Sequence, residues 1–259
     1  MFGQLSAQLA KAGYVVVRYD KRGIGQSGGR AEAMVLNDYA EDVVSVVNWL
    51  RDRKDIDDKR IAVVGFSEGG AVSLLAGDRA GGRIAALALV NAPGQTGRDM
   101  VLAQQQHVLD RSSDSADEKR AKIALQTKIL DAVVKGDGWN GVPAALQRAA
   151  DTPIFKSWVE FDPAKAMKGA DQPMLIVHGA LDTEIAPVNA DRLDTLARAR
   201  KTKTAPLTRK IVIPGMNHLL VPAKTGETSE YVSLAGSPIV SDVAAAIADW
   251  LSTVMAPKK

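Results

Sequence analysis

The chain has 259 residues and no cysteine, and its 33 Lys and Arg nearly balance 30 Asp and Glu, leaving a formal charge of +3. Hydrophobic residues make up 46% and charged residues 24%, ordinary for a globular protein with a sizeable buried core, which excludes disorder, collagen and a disulfide scaffold. Without cysteine there is no thiolate nucleophile, no Cys-ligated zinc and no redox pair. The cationic clusters, Arg198 to Lys203 and then Lys258 and Lys259, are short and lack interleaved aromatics, so no nucleic-acid partner is expected. No apolar stretch approaches the roughly 18 residues that would read as a membrane span, and a soluble protein is expected.

Met1 to Gly13 places apolar residues at Phe2, Leu5, Leu9 and Ala12, a helical period and not the solid apolar run of a signal peptide. Tyr14 to Tyr19 (YVVVRY) is β-branched and predicts a strand, ending in Asp20 and a glycine-rich loop, RGIGQSGG. A long helix is expected from about Ala33 to Arg53, where Val35, Tyr39, Val43, Val46, Val47 and Leu50 recur at helical spacing. Ile61 to Phe66 predicts a second strand, Gly69 to Ala80 a helix, and Ile84 to Asn91 a third strand. Pro173 to Gly179 and Arg209 to Ile213 predict the fourth and fifth, followed by helices over Val188 to Arg200 and Pro238 to Val254. Apolar strands alternating with amphipathic helices predict an α/β fold, a doubly wound, mainly parallel sheet with helices on both faces.

Between Asn91 and Pro173 lie about eighty residues with helical patterning and breakers at Gly136, Gly138, Gly141, Pro143 and Pro153. A structureless loop of that length is uncommon in a compact domain, so an inserted helical lid is expected. The organisation predicted is a core over 1–94 and 171–259 interrupted by a lid over 95–170, with the Pro/Lys tail after Met255 as a solvated end.

Gly65-Phe66-Ser67-Glu68-Gly69 has the form GxSxG, directly after one predicted strand and directly before a helix. A serine on so sharp a turn adopts a strained backbone, small neighbours relieve the crowding, and its hydroxyl stands clear of the sheet. The helix beyond directs N–H groups and positive dipole toward any developing oxyanion. The competing reading is a glycine-rich turn with an incidental serine.

Serine at its normal pKa needs a base, and the chain has three histidines. His107 falls on a predicted helix of the insertion as a surface or pocket-edge residue. His178 is the penultimate residue of a buried strand and reads as a hydrogen-bonded core histidine. His218, in the PGMNH loop after the last strand, falls at the carboxyl edge where parallel sheets place their sites, and is taken as the base. Asp182, in HGALDTEIAP after the fourth strand, is the candidate carboxylate partner, with Glu184 as the alternative.

In these residues the chain resembles the α/β-hydrolase superfamily, and more narrowly bacterial serine esterases related to the serine aminopeptidase-type hydrolases. The motifs are YDKRGIGQSGG at 19–29, the pair Asp38 and Asp42, GFSEGG at 65–70, NAPG at 91–94, FDPAKA at 161–166, HGALD at 178–182 and PGMNH at 214–218. The subgroup more often has histidine where this chain has Phe66. The resemblance implies Ser67 as nucleophile, Asp182 as orienting acid, His218 as base and the Glu68 backbone N–H as an oxyanion donor. It implies that Asp20 and Arg22 brace the loop beside the serine. It also implies eight strands, of which the five predicted match the fourth to the eighth. The first three, and the loop that supplies a second oxyanion donor, would precede Met1. An N-terminally shortened gene product or a misassigned start is therefore expected, and Tyr14 to Tyr19 would lack its usual sheet partner.

The activity implied is hydrolysis of small carboxylic esters through an acyl-enzyme on Ser67, with no metal or organic cofactor. Met100, Trp139, Phe155 and Trp158 are candidates for an apolar acyl wall or for the lid's own core. A peptidase or amidase with the same triad is the alternative, and a ligand-binding protein without turnover a third. Haloalkane dehalogenation is disfavoured because serine stands at the nucleophile position. As written the chain is expected to be cytoplasmic, and exported or periplasmic if a lost N-terminus carried a signal peptide.

Overall fold

The computed structural model describes residues 1–256; the tail from Pro257, with Lys258 and Lys259, lies outside the described residues. In chain order the first helices are α1 (Phe2–Lys11), α2 (Leu36–Arg51), α3 (Glu68–Ala80), α4 (Gly97–Asp110) and α5 (Ala116–Lys135). Then come α6 (Ala144–Ala150), α7 (Pro153–Val159), α8 (Pro163–Ala166), α9 (Val188–Arg198) and α10 (Ser241–Val254). Two compact units divide the chain: one takes Met1–Tyr19, Ala40–Gly94 and everything from Pro163 onward, the other Asp20–Tyr39 and Gln95–Asp162.

The first unit is built on four parallel strands, β1 (Ala62–Phe66), β2 (Ala86–Val90), β3 (Met174–Gly179) and β4 (Arg209–Ile213), in the order β1-β2-β3-β4. The central strands β2 and β3 are buried throughout, as solid apolar runs covered on both faces require. The register sets Ala88 beside Leu175 and Val90 beside Val177. These side chains share one cluster with Leu5 and Leu9 of α1 and with Val243, Ile247, Trp250 and Leu251 of α10. The alternate residues Leu87, Leu89, Met174 and Ile176 are buried as well, and strand alternation points them to the opposite face. There α3 lies against β1 and β2, and α9 against β3 and β4. Gly77 permits the close approach of α3, since a Cβ at that position would stand 2.9 Å from Leu87 Cδ1. The sheet is doubly wound, as the alternation of elements predicts.

The strand expected over Tyr14 to Tyr19 does not form. That segment takes no regular secondary structure and pairs with no strand among the described residues, and Val15, Val17 and Tyr19 are 72%, 40% and 46% exposed. Tyr14 and Val16 instead pack on the α1–α10 cluster, and Tyr14 Oη donates to Ala248 O at 3.1 Å. A β-branched run specifies an extended backbone that packs on one face; pairing needs a free neighbouring edge as well. The second helix also begins later than Ala33. Residues Ala31–Ala33 form a separate 3-10 turn, and Asp38 Oδ2 accepts the Val35 N–H at 2.8 Å just before α2.

The second unit holds α4 to α7 over Gln95–Asp162. Its core is Ile129, Leu130 and Val133 of α5 with Val142, Ala150 and Val159. Local signals fix both ends of α5: Ser115 and Glu118 form a reciprocal capping box, and Gly136 closes the helix at φ 79°. Arg98 and Asp131 join α4 to α5 at 2.8 Å. The glycine-rich loop belongs to this unit, with Asp20 at its centre: its carboxylate accepts the Gln26 N–H at 3.0 Å and its carbonyl the Ser27 hydroxyl at 2.5 Å. Among the described residues no helix is long and apolar enough to cross a membrane.

Candidate active site

Ser67 occupies the single residue between β1 and α3, with φ 53° and ψ −124°. Positive φ is costly for a residue with a Cβ and persists only where the surroundings impose it. Here the Ser67 N–H donates to Val90 O at 3.0 Å, and its carbonyl accepts the Gly70 N–H at 2.9 Å. Of the flanking glycines, two are required by space. A Cβ on Gly65 would run into Gly69 O and Ser73 Oγ, and one on Gly70 into Ala92 Cβ, whereas Gly69 faces open room. Glu68 opens α3, so its backbone N–H belongs to the first turn, whose donors point out of the helix end.

His218 lies on the loop beyond β4 and is buried, as is Asp182 on the turn beyond β3. Asp182 Oδ2 accepts from His218 Nδ1 at 2.8 Å, which leaves Nε2 as the ring's acceptor, 3.1 Å from Ser67 Oγ. The other carboxylate oxygen, Oδ1, accepts the backbone N–H groups of Glu184 and Ile185 at 3.0 and 2.9 Å. Burial by itself pushes the His218 imidazole down, but the Asp182 hydrogen bond and the charges of Asp182 and Glu184 outweigh it and hold it above its ordinary value. The arrangement can take a proton from the Ser67 hydroxyl and stabilise the resulting imidazolium.

The other candidates separate from this cluster. His178 is fully buried and donates from Nε2 to Ile185 O at 2.7 Å; burial depresses its pKa and keeps it neutral. It supports the Asp182 turn from behind, with Nε2 3.7 Å from Asp182 Oδ2. His107 lies on α4 beside Arg111, its Nδ1 3.2 Å from that guanidinium. Glu184 does not hold the His218 ring; its Oε1 accepts from Tyr231 Oη at 2.5 Å.

Two supporting features carry no clear sequence signal. Asn91, buried at φ 45° just past β2, donates from Nδ2 to Asn217 O and His218 O at 3.2 and 3.1 Å and accepts the Gly179 N–H at 2.8 Å. One amide thus ties the ends of β2 and β3 to the histidine loop, although the NAPG motif alone gave Asn91 no role. Gly179 completes the junction, because a Cβ there would press on Met216 O, whose carbonyl accepts the Leu181 N–H at 2.9 Å. Phe66, where histidine is the more usual residue, sets its ring 4.9 Å from the His218 imidazole at 45°, with Phe2 edge-on behind it at 5.6 Å.

The four acyl-wall candidates all fall in the helical unit. Trp139 and Phe155 pack against its core cluster, Trp158 stacks on Phe161 with centroids 6.1 Å apart, and Met100 is buried.

Comparison with known proteins gives the family. Residues 3–219 match the family model for X-Pro dipeptidyl-peptidase (S15 family). A curated Escherichia coli relative, an uncharacterized 31.7 kDa protein in the traX-finO intergenic region, is 38% identical over 60 residues, 23% of this chain and 21% of the relative. The match therefore spans about a fifth of that protein's length. A Pyrococcus furiosus esterase has a similar structure, with TM-score 0.59 and 17% identity over 98% of this chain and 75% of its own. The monoacylglycerol lipase of Paleococcus ferrophilus has TM-score 0.57 and 18% identity over 98% of this chain and 89% of its own. At such identities the two structures speak for the fold, which is that of the α/β hydrolases. With the family model spanning most of its length, the chain belongs to the X-Pro dipeptidyl-peptidase (S15) family of the α/β-hydrolase superfamily.

Proposed function

We propose that this hydrolase cleaves carboxylic esters through an acyl-enzyme on Ser67, with His218 as general base and Asp182 as its orienting acid. The observation that carries the reading is the unbroken hydrogen-bonded line from Ser67 Oγ through His218 to Asp182, at the carboxyl ends of β1, β4 and β3. Ser67 Oγ attacks the acyl carbon as His218 Nε2 takes its proton, and Asp182 stabilises the imidazolium. The tetrahedral oxyanion forms beside the first turn of α3, where the Glu68 N–H serves as a donor; one such donor is worth about 10²–10³ in rate. The alcohol leaves with the proton from His218. Water then attacks the acyl-enzyme, His218 takes its proton, and that proton returns to Ser67 as the acid departs.

The peptidase alternative draws on the family model itself. It uses the same groups but must protonate an amine leaving group. Purified protein and its Ser67→Ala variant, assayed on p-nitrophenyl butyrate and on an Xaa-Pro anilide, separate the readings. Turnover of the ester that disappears in the variant supports the esterase, and preferential Ser67-dependent cleavage of the anilide replaces it with the peptidase. Equal background rates on both substrates would rule out hydrolysis by this site.

A further inference from the structure

The chain beyond the histidine loop returns to the turn that presents Asp182. Thr183 Oγ1 donates to Gly226 O at 2.9 Å, and Gly226, at φ 78°, lies so near Leu181 that a Cβ there would strike Leu181 O. Glu230 folds the returning segment on itself, accepting the Thr225 and Gly226 N–H groups at 3.0 Å each. Tyr231 follows the 3-10 turn Thr228–Glu230 directly and reaches Glu184 Oε1. Burial first, and then the hydrogen bond and charge of Glu184 with the charges of Asp182 and Glu227, keep the Tyr231 phenol protonated far into alkali. It is therefore a permanent donor. A hydrogen bond to a carboxylate is among the stronger ones, and it fixes a side chain that otherwise samples several rotamers.

We propose that Tyr231 is a positioning residue: by clamping Glu184 it holds a second negative charge beside the Asp182–His218 pair and braces the turn that carries Asp182. The inference rests on the reading of Ser67, His218 and Asp182 given under Proposed function. The groups that bear on the imidazole are Asp182 and Glu184 from the β3 turn, the neutral His178 at the end of β3, and the Phe66 ring from β1. Of these, Glu184 is the one that Tyr231 hydrogen-bonds directly. With the clamp intact, both carboxylates favour the protonated imidazole; loss of the Tyr231 hydrogen bond loosens Glu184, its charge bears less on the ring, and His218 becomes a weaker base.

The test is an NMR titration of the His218 imidazole in the resting protein, its resonance identified by loss in His218→Gln, with Tyr231→Phe, Glu184→Gln and the double variant alongside. The His218 midpoint is expected to fall in both single variants, further in Glu184→Gln, and no further in the double variant. On the acid side kcat/KM should shift in the same direction, and the plateau kcat of Tyr231→Phe should drop about two- to tenfold, the scale of one hydrogen bond's net worth. Glu184→Asp should restore part of the midpoint. An unmoved midpoint, or shifts that add in the double variant, would overturn the clamp; lower stability toward urea with an unmoved midpoint would mark Tyr231 as structural only. Should Tyr231→Phe not fold, Glu184→Gln, which can still accept the phenol, decides by its own midpoint. A shifted midpoint in a protein without Ser67-dependent turnover would leave the clamp standing and remove the hydrolase reading.

Discussion

Truncating Asn91 deletes three hydrogen bonds that hold two strand ends to the loop of His218. Asn91→Ala is expected to lose roughly 2–4 kcal/mol of stability in urea denaturation, because buried partners are left unsatisfied, and to lose turnover with it. A second expectation concerns pH. In the proposed mechanism His218 must be unprotonated to accept the Ser67 proton, and Asp182 and Glu184 hold its pKa above the ordinary 6.5, so the protonated, inactive form persists to higher pH. The acid limb of kcat/KM should therefore have its midpoint above 6.5; a midpoint below it would contradict the electrostatics of the site. The meeting of Ser67, Asp182 and His218 was legible because their chemistry restricts the candidates, with three histidines and two GxSxG strings to choose from, of which Gly65 to Gly69 alone lies directly between a predicted strand and a predicted helix. Asn91 was not, because an amide that bonds to main-chain atoms has no spacing rule to betray it. Tyr231 was hidden for a related reason, since its partner lies 47 residues away and no pattern links the two.

The turn from β1 to α3 separates glycines that look alike in the sequence. Gly65→Ala and Gly70→Ala each press a methyl group onto packed atoms and should yield unstable or insoluble protein, while Gly69→Ala should keep both fold and turnover. Thermal unfolding of the three variants checks this, and a Gly69 variant as damaged as the other two would refute it. At this scale the strands β2, β3 and β4 were readable within two residues of their ends, since solid or β-branched apolar runs bounded by breakers have few other uses. Tyr14 to Tyr19 has the same composition but pairs with no strand edge among the described residues, packing instead on α1 and α10. Composition specifies an extended backbone; neighbours, which a local window does not contain, specify a strand.

Across the molecule the alternation of strands and helices implied a doubly wound sheet, because a parallel sheet must be covered on both faces. The grouping of Asp20–Tyr39 with Gln95–Asp162 was not implied, since it depends on contacts between segments far apart in the chain. The sheet's centre is its most sensitive region: Ile176→Ala on β3, fully buried, should cost about 2–5 kcal/mol by chemical denaturation. A cost near zero would mean that the layer can collapse around the gap. The hydrogen bond between His218 and Ser67 spans 151 residues of chain, and that between His218 and Asp182 spans 36. At a synthesis rate of roughly 5–20 residues per second, Ser67 leaves the ribosome about 8 to 30 s before His218. On the proposed mechanism the nascent Ser67 hydroxyl has no base for that interval, so turnover waits until the His218 loop has been made and folded.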